Sequence, residues 1–141
     1  MKRVARLAVF PALAALFACR PAPSPSPVPQ PAPASPDART VLAFLDAYGR
    51  RDLDGMMAQL DEDAVFRGSG APLAKPQIRA FFQDTFRKHP DLRVEVGSVT
   101  VVRGAVHARV TVQTDTLWAR TWIFEMKDHR IRAYSLAAGK R

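Results

Sequence analysis

Three consecutive carboxylates, Asp61, Glu62 and Asp63, are the residues whose types best suit acid–base chemistry. Neighbouring carboxyl groups can divide the roles of proton donor and proton acceptor when their environments separate their pKa values. Asp52 and Asp54 lie nearby, but their position at the start of a predicted short helix indicates capping, in which a carboxylate accepts from free N–H groups. Only the first cluster is therefore a candidate for proton transfer.

The three histidines do not have the spacing of a metal site. His89 lies at the predicted end of a helix, His107 within a strand and His129 in a turn. The pattern places no carboxylate to orient their rings, and metal sites usually need both convergent ligands and such partners. The remaining candidate nucleophiles lack a strand–turn–helix context; they are Ser69, Ser98 and Ser135. We therefore predict no metal, no cofactor and no catalytic residue of these types.

The N-terminal segment has the pattern of an export signal. Lys2, Arg3 and Arg6 precede an apolar run over 7–18, which Pro11 interrupts. This run is too short to span a bilayer, which takes about 20 residues. It fits the apolar core of a signal peptide, for which roughly 7–15 residues are usual.

Cys19 is the only cysteine, and it follows the small residue Ala18. The string LFAC at 16–19 resembles a bacterial lipoprotein signal, in which the cysteine is acylated and becomes the new N-terminus. The resemblance implies a signal peptide over 1–18 and a lipid anchor on Cys19 that holds the protein in the cell envelope. With Arg20 rather than Asp next, it implies the periplasmic face of the outer membrane in a Gram-negative cell. Plain secretion and an uncleaved anchor are the alternatives.

Residues 19–36 are predicted to be the lipidated cysteine and a tether. Eight of the sixteen residues in 21–36 are proline. Proline has no N–H donor and a fixed φ, so this stretch favours an extended polyproline II conformation. At about 3.1 Å per residue it can reach some 50 Å. A spacer explains this composition better than a motif read by a proline-binding domain, and a single domain follows over 37–141.

The charge of the 37–141 domain excludes one class of partner. The chain carries +8, and removing the four basic residues before position 37 (Lys2, Arg3, Arg6 and Arg20) leaves 8 − 4 = +4. The remaining basic residues are scattered among Asp and Glu without a basic block or aromatic stripe, so we predict no nucleic-acid partner.

Apolar periodicity predicts three helices, over about 37–50, 52–59 and 76–89, with a short strand over 63–67 between the second and third. Helix signals support the boundaries, because Asp52 can cap the second helix and Pro76 suits the first turn of the third. The predicted apolar face of the third helix consists of Ile78, Phe81, Phe82, Thr85 and Phe86.

From Leu92 onward the apolar period is two, which predicts strands over about 92–101, 106–113, 118–126 and 131–136. The apolar phase changes at Gly97-Ser98, where we expect a β-bulge that bends the strand. Asp128-His129 is the predicted turn between the last two strands. Helices first and an antiparallel sheet last make an α+β fold.

Four segments resemble nuclear transport factor 2-like (NTF2-like) domains, a group that includes SnoaL-like and ketosteroid-isomerase-like proteins. They are FLDAYGRRDLDG (44–55), LDEDAVF (60–66), PQIRAFF (76–82) and WIFEMKDHRI (122–131). The resemblance covers nearly all of 37–141. It implies a cone-shaped, curved antiparallel sheet wrapped round three N-terminal helices, with a pocket between them and often a homodimer through the sheet. It also implies that Asp63 accepts backbone N–H bonds at a helix-to-strand turn.

The isomerases of this group use an aspartate base and an oxyanion hole made of a tyrosine and a protonated aspartate. The resemblance places these three positions on Phe44, Gly68 and Trp122. None of them can carry out the required proton transfer or donation to an enolate oxygen, so isomerase chemistry of this kind is not expected.

An aromatic cavity containing one cation is the predicted ligand site. The resemblance places Trp122 in the pocket, and alternation adds Trp118 and Arg120 from the same strand face. The complete predicted set is Phe44, Tyr48, Trp118, Arg120, Trp122 and Tyr134. Arginine pairs with carboxylates in a fork, so the site would suit an apolar ligand with an acidic or carbonyl end. In the alternative interpretation, the tryptophans only fill the core or a dimer interface.

These observations leave three functional hypotheses. The first is a lipid-anchored, non-enzymatic domain that binds a small apolar ligand or an envelope protein. The second is a SnoaL-like enzyme of isomerase, cyclase or dehydratase type that uses an unrecognised group, such as Arg120 or Tyr48 with bound water. The third is a structural module that dimerises through its sheet.

Overall fold

The computed structural model describes residues 35–68 and 70–137. The helices are α1 (Pro36–Gly49), α2 (Leu53–Ala58) and α3 (Lys75–Lys88), and the strands are β1 (Leu60–Arg67), β2 (Leu73–Ala74), β3 (Arg93–Val102), β4 (Ala105–Gln113), β5 (Leu117–Lys127) and β6 (Arg130–Leu136). The predicted signal peptide, Cys19, most of the tether and Ser69 lie outside the described residues. Within the described part, no helix has the length and apolar character needed to cross a membrane.

Local signals account for the helix starts. The Ser35 side chain accepts from the N–H of Ala38 at the start of α1. Asp52 accepts from the N–H of Gly55 at 2.9 Å, which confirms the predicted cap of α2. Pro76 lies in the first turn of α3, as predicted. The three predicted helices are thereby confirmed to within one or two residues.

The strands form one six-stranded sheet in the order β2-β1-β6-β5-β4-β3. All neighbouring pairs are antiparallel except β1 and β6, which run parallel. The α+β class is confirmed, but the purely antiparallel sheet expected from the sequence is wrong at this one pair. The reason is connectivity, because the chain passes through β2, α3 and three further strands before β6 returns beside β1.

The bulge in β3 is confirmed. Val96 pairs with Val110 and Val99 with Ala108, so Gly97 and Ser98 together oppose the single residue between those partners. Two residues against one define a β-bulge, which increases local bending and twist.

The core lies between the helices and one face of the sheet. The inward-facing side chains of β4, namely Val106, Ala108, Val110 and Val112, are all 0% exposed. Phe44 on α1 and Phe82 on α3 pack into the same cluster. The alternation seen in the sequence of β4 therefore corresponds to one buried and one outer face.

Candidate functional site

A cavity of about 280 Å³ opens between the helices and the inward face of the sheet. Aromatic side chains from all sides form most of its wall: Tyr48, Phe66, Phe81, Phe82, Trp118, Trp122 and Tyr134. Leu92, Val112 and Leu136 add further apolar surface, and the polar lining residues are Thr85, His89, Thr114, Asp115 and Thr116. A largely apolar recess with a few polar groups is the usual composition of a small-molecule site.

The structure brings four of the six predicted pocket residues together in this wall: Tyr48, Trp118, Trp122 and Tyr134. Phe44 is not in the wall. It is fully buried beneath it, with its ring 6.2 Å from that of Phe82 and 5.9 Å from that of Phe124.

Arg120 is the second predicted pocket residue that the structure places outside the wall. It pairs with Val110, so it belongs to the inward face of β5, yet its side chain is exposed. The last described pair between β5 and β6 joins Trp122 to Leu136, and Arg120 lies beyond it. The expected arginine–carboxylate recognition inside the cavity therefore has no basis in this geometry.

The aromatic wall is continuous around Tyr134. The ring of Trp122 stacks on that of Tyr134 at 5.9 Å with an interplanar angle of 6°. The ring of Phe66 also stacks on that of Tyr134, at 4.5 Å, and the ring of Tyr48 lies 5.8 Å from that of Trp122. These contacts make the wall one continuous surface of packed aromatic rings.

Two buried donors in this wall have no hydrogen-bond partner among the described residues: the indole Nε1 of Trp122 and the phenol oxygen of Tyr134. Buried polar groups in folded proteins are nearly always satisfied, so each exception needs an explanation. A buried unsatisfied group costs about 1–3 kcal/mol. Both belong to residues whose side chains line the cavity.

The two tyrosines of the wall remain protonated over the physiological range. Burial raises the pKa of Tyr48 to about 12. Burial also raises the pKa of Tyr134 well above its ordinary value, and the nearby Tyr48 phenol adds to that effect. Both groups therefore act as hydrogen-bond donors rather than as general bases.

Polar residues at the opening come from the end of α3 and from the turn that joins β4 to β5. His89 Nδ1 lies 4.0 Å from Asp115 Oδ1. The Thr114 hydroxyl donates to the same carboxylate at 2.9 Å and holds the pKa of Asp115 below its ordinary value. Sequence analysis missed this cluster, although Phe81 and Thr85 on the predicted face of α3 indicated which helix would border the site.

The carboxylate cluster and His129, two further candidates from the sequence, have hydrogen-bond partners within the domain. Asp61, Glu62 and Asp63 lie on β1 rather than in a turn. The Asp61 carboxylate accepts from the backbone N–H of Asp63, so in this bond Asp63 is the donor rather than the predicted acceptor. The expectation that no carboxylate contacts a histidine is wrong, because His129 Nδ1 lies 2.8 Å from Asp37 Oδ1. Within 35–68 and 70–137, no three potential metal ligands of the His, Cys, Asp or Glu types converge.

The family model described as "SnoaL-like domain" matches residues 41–134. The chain belongs to the SnoaL-like family. The matched segment contains every residue of the cavity wall except Leu136. No curated protein matches this sequence significantly.

Solved structures share the fold of this SnoaL-like domain. An NTF2-like protein of unknown function from Cytophaga hutchinsonii has a TM-score of 0.62 at 13% identity, covering 72% of this chain and 88% of that one. TerC, co-crystallised with polyporic acid, has a TM-score of 0.65 at 15% identity, covering 74% and 92%. An LEH-like epoxide hydrolase from M. tuberculosis has a TM-score of 0.60 at 17% identity, covering 72% and 80%. At these identities the likeness establishes the NTF2-like fold, while function has to be argued from the site.

Proposed function

We propose that this SnoaL-like domain binds a small apolar ligand that carries a hydrogen-bond-accepting oxygen. The observation that carries the proposal is the aromatic cavity with two unpartnered buried donors, on Trp122 and Tyr134. Apolar burial would supply most of the affinity, and an oxygen placed against the donors would fix the orientation. TerC, a protein of the same fold, was co-crystallised with a small molecule, which supports this use of the fold.

Binding is better supported than catalysis because the buried part of the wall offers donors but no base. Its tyrosines have raised pKa values, and Asp115 at the opening is the only carboxylate among the described lining residues. A general base must be deprotonated and within reach of the proton that it takes.

The dimerisation module has less support, because the outer face of β4 carries polar side chains, namely His107, Arg109, Thr111 and Gln113.

Proton-transfer catalysis is the second candidate, and the position of His89 at the opening favours it. An imidazole there can accept a proton from a ketone whose carbonyl end lies at the opening. Deuterium incorporation next to the carbonyl of a ketone probe in D2O, lost in His89→Gln, would support it. Exchange no faster than in buffer would leave binding as the function.

Tyr134→Phe tests the proposed role of the buried donors. Removing an unpartnered hydroxyl should leave the free energy of unfolding unchanged or raise it by up to about 1–3 kcal/mol. It should also weaken binding of 4′-methylacetophenone by roughly two- to tenfold, the value of one hydrogen bond. Titration calorimetry and urea denaturation measure the two effects.

The matched control for this experiment is p-cymene, which has a methyl group where the ketone has its oxygen. Its affinity should be the same for the wild type and for Tyr134→Phe. An equal loss of affinity for both probes would contradict the hydrogen-bonding role, as would a marked loss of stability in the variant.

We further propose that the domain is tethered in the cell envelope through lipid on Cys19. The support is the sequence of the export segment, which lies outside the described residues. In a Gram-negative host, Cys19→Ser should move the full chain from the membrane fraction to the soluble fraction, because two or more acyl chains are needed for stable anchoring. Ser24→Ala, within the tether, should leave it membrane-bound. Membrane retention of Cys19→Ser equal to the wild type would contradict the anchor.

A further inference from the structure

The opening of the cavity differs chemically from its buried wall. Trp118 is 36% exposed there, next to the turn that carries Asp115. A second, more open depression of about 250 Å³ adjoins the cavity and is lined by Lys88 to Leu92 together with Thr114 and Asp115. The two depressions share His89, Leu92, Thr114 and Asp115. A ligand whose ring fills the cavity can therefore extend its outer end into a polar recess.

Negative charge dominates this recess. The hydrogen bond from Thr114 keeps Asp115 ionised, and Asp91 adds a second carboxylate. Lys88 is the only Lys or Arg among the described residues that line the two depressions, and its Nζ lies 2.7 Å from Asp84 Oδ2. Asp84, which also pairs with Arg87, compensates part of this charge within the same helix. Arg120, the cation expected from the sequence, lies outside the wall.

Like these carboxylates, the partly exposed indole of Trp118 at the opening favours a positively charged group on the ligand. The faces of aromatic rings carry negative potential, and tryptophan attracts cations most strongly. Trp118 and Asp115 therefore both favour a positively charged group and disfavour a carboxylate. At the other end, Trp122 and Tyr134 offer hydrogen-bond donors. The buried end thus favours a hydrogen-bond-accepting group on the ligand, and the opening favours a positively charged one.

We infer that the ligand is a cyclic amine-bearing compound, with its acceptor oxygen at the buried end and its ammonium group at the opening beside Asp115 and Trp118. This inference rests on the proposed function, since it assigns polarity to the same site. It also reverses the polarity expected from Arg120, which predicted an acidic group.

Three probes of one size test the polarity: 4-acetylbenzylamine, 4′-methylacetophenone and 4-acetylbenzoate. They share the ring and the ketone and differ in the para substituent, which is a cationic aminomethyl group, a neutral methyl group or an anionic carboxylate. At pH 8, where histidine side chains are ordinarily neutral, and at low salt, the amine should bind about two- to fivefold more tightly than the neutral ketone. The benzoate should bind more weakly than the neutral ketone. The amine's advantage should shrink at about 0.5 M salt, because exposed charges are screened.

Asp115→Asn isolates the carboxylate with little risk to folding, because its side chain is 83% exposed. It should reduce the amine's advantage over 4′-methylacetophenone by about half or more. Asp128→Asn is the matched control, since that residue lies in the turn at the opposite end of β5 and should change neither affinity.

The outcomes separate the two proposals. If 4′-methylacetophenone binds but the benzoate binds as tightly as the amine, the inferred polarity is overturned and the proposed ligand site stands. The same holds if Asp115→Asn leaves the amine's advantage intact. If none of the three probes binds, both proposals are overturned.

Discussion

Phe44→Ala is expected to lower the free energy of unfolding by about 3–5 kcal/mol, the usual cost of removing a fully buried phenylalanine. Phe44 is 0% exposed, and its ring contacts those of Phe82, Phe124 and Tyr134, with centroid distances of 6.2, 5.9 and 5.7 Å. The substitution would leave a void where α1, α3 and the sheet meet. Urea denaturation followed by circular dichroism measures the loss, which is a large share of a typical domain's total stability.

Two further variants make this result interpretable. Leu117→Ala removes a side chain that is 70% exposed, so its free energy of unfolding should stay within about 0.5 kcal/mol of the wild type. Phe44→Leu keeps an apolar group in the core and should therefore lower the free energy of unfolding less than Phe44→Ala does. It provides a folded protein to measure if Phe44→Ala does not fold. A cost below about 1 kcal/mol for Phe44→Ala would contradict the central packing of this ring.

Thr85→Trp is expected to block the cavity and weaken binding of 4′-methylacetophenone roughly tenfold or more, because the new ring would occupy the space that the ligand needs. Thr85 lines the cavity from α3, and its hydroxyl bonds only within the helix, to the carbonyl of Phe81 at 2.9 Å. Since the added ring enters an existing cavity of about 280 Å³, stability should fall far less than affinity. Calorimetry with the probe measures the first effect and urea denaturation the second.

Thr85→Val is the control for this substitution. It keeps the size of the side chain and removes only the hydroxyl, so the cavity stays open and the probe should bind as it does to the wild type. Undiminished binding to Thr85→Trp would show that the ligand occupies another site, and the proposed function would then be wrong.

Local patterns were sufficient to predict most elements of this fold. The Asp52 cap needs only a carboxylate three residues before a free N–H, and the bulge in β3 follows from a change of apolar phase at Gly97-Ser98. The buried face of β4 follows from strict alternation. Each of these features depends on neighbours in the sequence, which is why periodicity and residue type predict it.

The parts of the site that escaped prediction depend on where distant segments end. Alternation correctly assigns Arg120 to the inward face of β5, but whether that face is covered depends on the length of β6. Asp115 reaches the cavity because the turn after β4 comes close to the end of α3 at His89. The parallel pairing of β1 with β6 also joins segments far apart in the chain. No local sequence pattern determines these long-range contacts.

The position of β6 has a consequence for how the domain assembles. The last strand made is an interior strand of the sheet, between β1 and β5. The β3–β4–β5 meander can form early from local hairpins, whereas the pairing of β1 with the rest of the sheet must wait for β6, a long-range closure of the kind that slows folding. A chain still emerging from a ribosome therefore has no complete sheet and no finished cavity. Truncation within β6 would separate β1 and β2 from the other strands of the sheet.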